Sequence, residues 1–259
     1  MPFSSPSYFG PVRGTDQIVG QNAGRLQTGA RVFLAGLNAG LQSAANNLIV
    51  IGSSAASAGI PASNQTNGLI VLGVNALKLS TTFSAATYPS VVIGDNIMPG
   101  VTTGPSSSVL LGASIAKLVT VAAGSFLDNV MIGANIFGDL TTFAVQQIYS
   151  NVLIGANVYR NAITSNLQIP QASVVIGADA VAGTGGAGAG LRNVVIGYAA
   201  CSSLRGCTES VYIGAQVAQN QQGGGNNAFV GANSTVDAQG FDHTVIGGNI
   251  IALGGAGGT

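Results

Sequence analysis

The chain has 259 residues, eight basic against eight acidic side chains, only 6% charged residues and 39 glycines. No basic field exists to hold phosphates, so nucleic acid is excluded as an expected partner. No apolar run reaches the roughly 18 to 20 residues of a bilayer-spanning helix, so membrane insertion is not expected either.

Residues 1–15 carry Pro2, Pro6 and Pro11 together with Phe3, Tyr8 and Phe9. Prolines favour extended backbone and aromatic side chains anchor contacts, so this segment is expected to be an extended N-terminal docking arm. Met1-Pro2-Phe3-Ser4-Ser5-Pro6 has neither a basic n-region nor an apolar h-region, and no secretory signal is expected.

From residue 16 onward the chain repeats itself. Thirteen short apolar runs end in glycine, at Gly20, Gly36, Gly52, Gly73, Gly94, Gly112, Gly133, Gly155, Gly177, Gly197, Gly214, Gly231 and Gly247. Asn stands two positions later in eight of them: Asn22, Asn38, Asn75, Asn96, Asn135, Asn157, Asn233 and Asn249. A unit recurring at this period is the mark of a solenoid, in which one coil cannot bury its apolar face alone. Residues 16–259 are therefore expected to form one all-β parallel β-roll, or β-solenoid, of about 13 coils.

Asn151 to Ile169 shows the unit. Val152-Leu153-Ile154 is β-branched-rich and bounded by polar and glycine residues, which predicts a strand. Gly155 allows a tight bend or close backbone approach, and Ala156-Asn157-Val158 fits a second short strand. Tyr159 to Ile169 is the return loop. The apolar residues stand three in a row, as in strands buried on both faces. One face fills the coil, and copies of the chain are expected to cover the other. The asparagines fit two roles, a stacked amide ladder or left-handed corners.

Twelve steps at the strand spacing of about 4.8 Å give a rod of about 60 Å. The longer spacings lie between Gly52 and Gly197, so loops 53–68, 140–150 and 180–192 are expected to project from the middle.

Other stretches carry weaker signals. Gly183-Thr184-Gly185-Gly186-Ala187-Gly188 meets the G-x-G-x-x-G spacing, but another β unit follows where a dinucleotide site needs a helix. Seven scattered aspartates and the single Glu209 show no carboxylate pairing for glycan cleavage. Cys201 and Cys207 share one inter-strand stretch, reduced or bridged, and no zinc set accompanies them. His243, the sole histidine, fits a strand-edge side chain; in a trimer, three copies meeting on the axis are the metal alternative. No catalytic, cofactor-binding or metal-ligating residues are expected.

Asn129-Val130-Met131-Ile132-Gly133-Ala134-Asn135, Asn151 to Asn157 and Ser173-Val174-Val175-Ile176-Gly177-Ala178-Asp179 resemble the YadA-like head repeat of trimeric autotransporter adhesins. The resemblance implies a left-handed parallel β-roll, three chains side by side with apolar strands toward the trimer centre. The family's unit is shorter than any spacing here, and no counterpart of its signal peptide, stalk or membrane anchor is expected. Similar modules occur in phage tail fibres and other virion surface proteins made in the host cytoplasm. Left-handed β-helix acyltransferases are a poorer match, because their aliphatic residue at about every six positions is missing: Arg160 follows Ile154 at that interval, and Pro99 follows Ile93.

The resulting expectation is a non-enzymatic homotrimer, intertwined or side by side, on a virion surface, a phage capsid decoration (cement or head-spike) protein. Its arm would dock on the major capsid protein or another virion protein. The alternative is a short tail fibre or adhesin binding a host surface receptor.

Overall fold

The computed structural model describes residues 16–26, 28, 30–41, 46–58, 68–78, 89–100, 105–116, 126–137, 148–159, 171–180, 192–201, 208–217, 224–233, 235–237, 242–249 and 251–253. Among these there is no helix. The strands in chain order are β1 (Gln17–Val19), β2 (Phe33–Ala35), β3 (Ile49–Ile51), β4 (Ile70–Leu72), β5 (Val91–Asp95) and β6 (Val109–Ala113). They continue with β7 (Phe126–Leu127), β8 (Val130–Ala134), β9 (Ile148–Tyr149), β10 (Val152–Ala156), β11 (Val174–Ile176) and β12 (Val194–Ile196). The last are β13 (Val211–Ile213), β14 (Ala228–Val230), β15 (Thr235–Asp237), β16 (Thr244–Ile246) and β17 (Ile251–Leu253).

Thirteen of these form one sheet, from β1 to β16, in which each repeat's strand pairs with the strand of the next repeat. All pairs are parallel and in phase, as in Val152↔Val174, Leu153↔Val175 and Ile154↔Ile176. Two small parallel pairs, β7 with β9 and β15 with β17, stand apart from it. The chain is thus an all-β parallel β-solenoid, as the repeat predicts.

The corner chemistry departs from the expectation at one point. Gly155 does not end the strand: β10 runs through it to Ala156, as β5, β6 and β8 run through their glycines. Ala156-Asn157-Val158 is therefore not a second strand. Asn157 turns the chain with φ 56, and Val158 drops into the interior, fully buried. The residue two past every repeat glycine, Asn or not, has φ between 48 and 56. Asn tolerates this left-handed region because its short polar side chain bonds locally, which accounts for its frequency there. Further left-handed corners follow at Tyr159 and precede the strand at Ser150.

The glycine column answers a second constraint. Gly155 has φ +142, and a Cβ there would lie 1.9 Å from the carbonyl oxygen of Gly177 in the next repeat. Both the dihedral and the stacking exclude a side chain, so each repeat requires glycine at this point.

The core is a narrow column inside the coils. The central residue of each sheet strand points inward, with Leu34, Leu110, Leu153 and Val195 at 0% exposure. Opposite them sit the residues just beyond the Asn corner, such as Ile97, Ile115, Ile136 and Val158. Two aromatic pairs widen this core: Phe137 stacks on Tyr159 at 5.3 Å, and Tyr212 on Phe229 at 5.5 Å.

Candidate assembly surface

Strand geometry sends successive side chains to opposite faces, so a run of three apolar residues divides one inward and two outward. In β10, Leu153 is buried while Val152 and Ile154 are half-buried. The same division recurs in β4, β6, β11 and β12. The strands are therefore not buried twice within one chain. Their outward face is an open sheet surface carrying two apolar columns in register, aliphatic in the middle strands with Phe33 in β2.

Every outward position at the first and third place of the thirteen strands is apolar, except Gln17 and Thr244 on the two end strands. Ile51, Ile93, Ile132 and Val230 remain 37–40% exposed although their ladder neighbours shield them on both sides. A third outward column follows the glycines: Ala113, Ala134 and Ala156 in the middle, with the exposed Leu37, Val74 and Tyr198 elsewhere. At the strand spacing, the two aliphatic columns alone cover a strip of about 60 Å by 10 Å, on the order of 600 Å². Such a strip lies at the upper limit of apolar patches on monomeric proteins.

On the inward side, a polar column unseen in the sequence reading runs beside the apolar one. The residue just before the strand is Ser90, Ser108, Asn129, Asn151, Ser173, Asn193, Ser210 or Asn227 in eight successive repeats, all buried. Each side-chain oxygen accepts the backbone N–H of the next rung. Asn151 donates to Asn129 Oδ1 at 3.2 Å, Ser173 to Asn151 Oδ1 at 3.1 Å, and Asn193 to Ser173 Oγ at 3.1 Å. These bonds satisfy groups whose burial would otherwise cost about 1–3 kcal/mol apiece. The signal was present in the chain as a Ser or Asn immediately before eight of the thirteen runs.

The asparagine corners fill both of their expected roles. Asn22 Nδ2 donates to Asn38 Oδ1 at 3.1 Å, Asn135 to Asn157 at 3.2 Å, and Asn157 to Asp179 Oδ1 at 2.9 Å. The corner before the strand carries charges instead, where Arg192 pairs with Glu209 of the next repeat, both exposed.

His243 is the last rung of the inward polar column. Its backbone N–H donates to Asn227 Oδ1 at 3.0 Å, and the residue is exposed beside β16, the last strand of the thirteen-stranded sheet. Cys201 is buried beyond its corner. Tyr159 is buried near it; burial first, and the Cys201 thiol second, push the Tyr159 phenol well above its ordinary pKa. A neutral buried phenol has no access to substrate. No group of three or more His, Cys, Asp or Glu residues fit to hold a metal occurs among the described residues. The arm 1–15, Cys207, the stretch 183–188 and most of loops 53–68, 140–150 and 180–192 lie outside the described residues.

No family model, curated protein or solved structure matches this chain. The head-repeat likeness accordingly rests on the repeat residues themselves.

Proposed function

We propose that this chain is a non-enzymatic structural module that assembles with its own copies through the outward face of the sheet. The observation that carries this reading is the unbroken pair of aliphatic columns, with polar residues only on the end strands. A surface of this size and regularity gains free energy when it leaves water, at about 25 cal/mol per Å² of apolar area. Each coil presents the same pair of side chains at the same height, so a copy aligned along the rod meets it rung for rung.

The assembly we favour is a homotrimer of thirteen-coil rolls, the number of chains resting on the YadA-like repeat resemblance. The low charge and short rod favour a trimeric capsid decoration protein on the surface of a phage particle. In this reading the arm 1–15 seats the trimer on the major capsid protein or another virion protein.

Counting copies in purified particles tests the setting. Hundreds of chains per particle are the expected result for decoration. A few tens or fewer would instead assign the chain to a short fibre or adhesin. Removal of residues 1–15 should abolish incorporation while leaving the rod's circular dichroism unchanged. Normal incorporation would remove the docking role of the arm.

A further inference from the structure

The lateral face is not the only incomplete surface. Among the described residues, β1 and β16 end the thirteen-stranded sheet, each with a neighbouring strand on one side only. The central column is sealed everywhere between them, but Ile18 and Val245 at its two ends are only partly buried. Outward from them, Val19 is 59% and Ile246 74% exposed, well above the interior rungs. Open strand edges of this kind are templates for pairing with another chain.

We propose that these two ends fit each other, so that a second copy docks end to end with its β1 beside β16 of the first. The in-phase register makes this possible without distortion. Each strand follows its predecessor with no stagger, so the next strand beyond Thr244-Val245-Ile246 would be Gln17-Ile18-Val19 of the second copy. Backbone polarity agrees. Along the sheet, the first strand residue donates to the carbonyl preceding the next strand, as Val174 does to Asn193 at 2.8 Å. The next glycine donates back to the third strand residue, as Gly177 does to Ile154 at 2.9 Å. The matching groups at the two ends are the Thr244 N–H with the Asp16 carbonyl, and the Gly20 N–H with the Ile246 carbonyl.

The side-chain columns also continue. In the corner ladder, Nδ2 of one rung donates to Oδ1 of the next, as Asn22 does to Asn38. Asn249 would donate in the same way to Asn22 of the second copy. Gln17 and Thr244, the only polar outward residues at these positions, would become neighbours across the junction. In the inward polar column the imidazole of His243 would meet the carboxylate of Asp16, a complementary pair at otherwise unlike ends. Asp16 Oδ1 already accepts the Val32 N–H at 3.0 Å, so the carboxylate is held in line with the column.

Stacking of this kind lengthens the rod along its axis, whereas the lateral contact thickens it, and the two are separable by experiment. Rod lengths measured by electron microscopy across a wide concentration range should fall at multiples of about 60 Å, with longer rods at higher concentration. H243D places two carboxylates at the junction and should weaken end-to-end association about tenfold or more, leaving rod width and circular dichroism unchanged. Adding D16N to H243D should restore most of the length. An Asn at position 16 still accepts the Val32 N–H, as Asn151 does for Ser173. A single rod length at every concentration, or unchanged lengths in H243D, would overturn the proposal. A chain that stays one roll wide yet lengthens with concentration would uphold it and refute the lateral assembly alone.

Discussion

Leu153 and Ile154 are neighbours in β10 and nearly equal in apolar surface, yet their situations are opposite. Leu153 is sealed inside its own coil, while Ile154 stands half-exposed on the outer face. The inner column is sealed within one chain; the outer column stays half-exposed, and in the proposed assembly a second copy covers it. In that proposal equal hydropathy serves two different levels of structure, folding on one side of the sheet and assembly on the other.

Substitutions at these two adjacent positions should separate the levels most sharply. Leu153→Asp buries a carboxylate with no partner in a dry column, and it should cost more than about 4 kcal/mol and prevent folding. Ile154→Asp places the same charge on the open face, where the single chain should keep its fold with less than about 1 kcal/mol lost. Its mass in solution should fall to that of one chain. Circular dichroism and light scattering on both variants check the contrast, and equal damage from the two would erase it.

A smaller loss is expected in the glycine column. Gly155→Ala sets a methyl against the Gly177 carbonyl and strains a φ of +142, which should cost about 3 kcal/mol and disturb both faces together. In the inner polar column, Asn151→Ala strands the Ser173 N–H and should cost about 1–3 kcal/mol in denaturant titration, with the mass unchanged.

The smallest effect is at high pH. Burial raises the Tyr159 phenol above its ordinary value of 10.0, so its contribution is fully present below that pH. As pH rises past it, the unfolded chain ionises first and stability falls by about 1.4 kcal/mol per pH unit from this group. Tyr159→Phe should remove that part of the alkaline slope and leave assembly at neutral pH untouched.

Much of this was legible in the chain because a solenoid writes each structural requirement once per coil. The glycine column, the parallel strands and the Asn corners all appear as fixed positions in the repeat. The burial of the strands was less legible, since runs such as Val152-Leu153-Ile154 look alike from either side of the sheet. Only the pleat shows that one residue in three is inside.

The polar column escaped for a related reason: Asn151 reads as the polar boundary of a run, although the pleat turns it inward beside Leu153. The column's own exceptions are instructive. Val32, Leu48 and Leu69 replace Ser or Asn in the early repeats, where the buried residue past the corner shrinks to Ala39, Ala55 and Ala76. Where Asn129 occupies the column, that residue is Ile136. In these repeats bulk shifts between two places seven apart, whereas Ser173 with Ala180 and Asn193 with Ala200 carry little bulk at either.

The solution mass of the intact wild-type chain, measured by light scattering at low concentration, tests the outer face most directly. The expected result is three times the 25.5 kDa of one chain, falling to one chain in Ile154→Asp. A monodisperse single chain in the wild type would contradict the account and leave two aliphatic columns exposed along the whole rod.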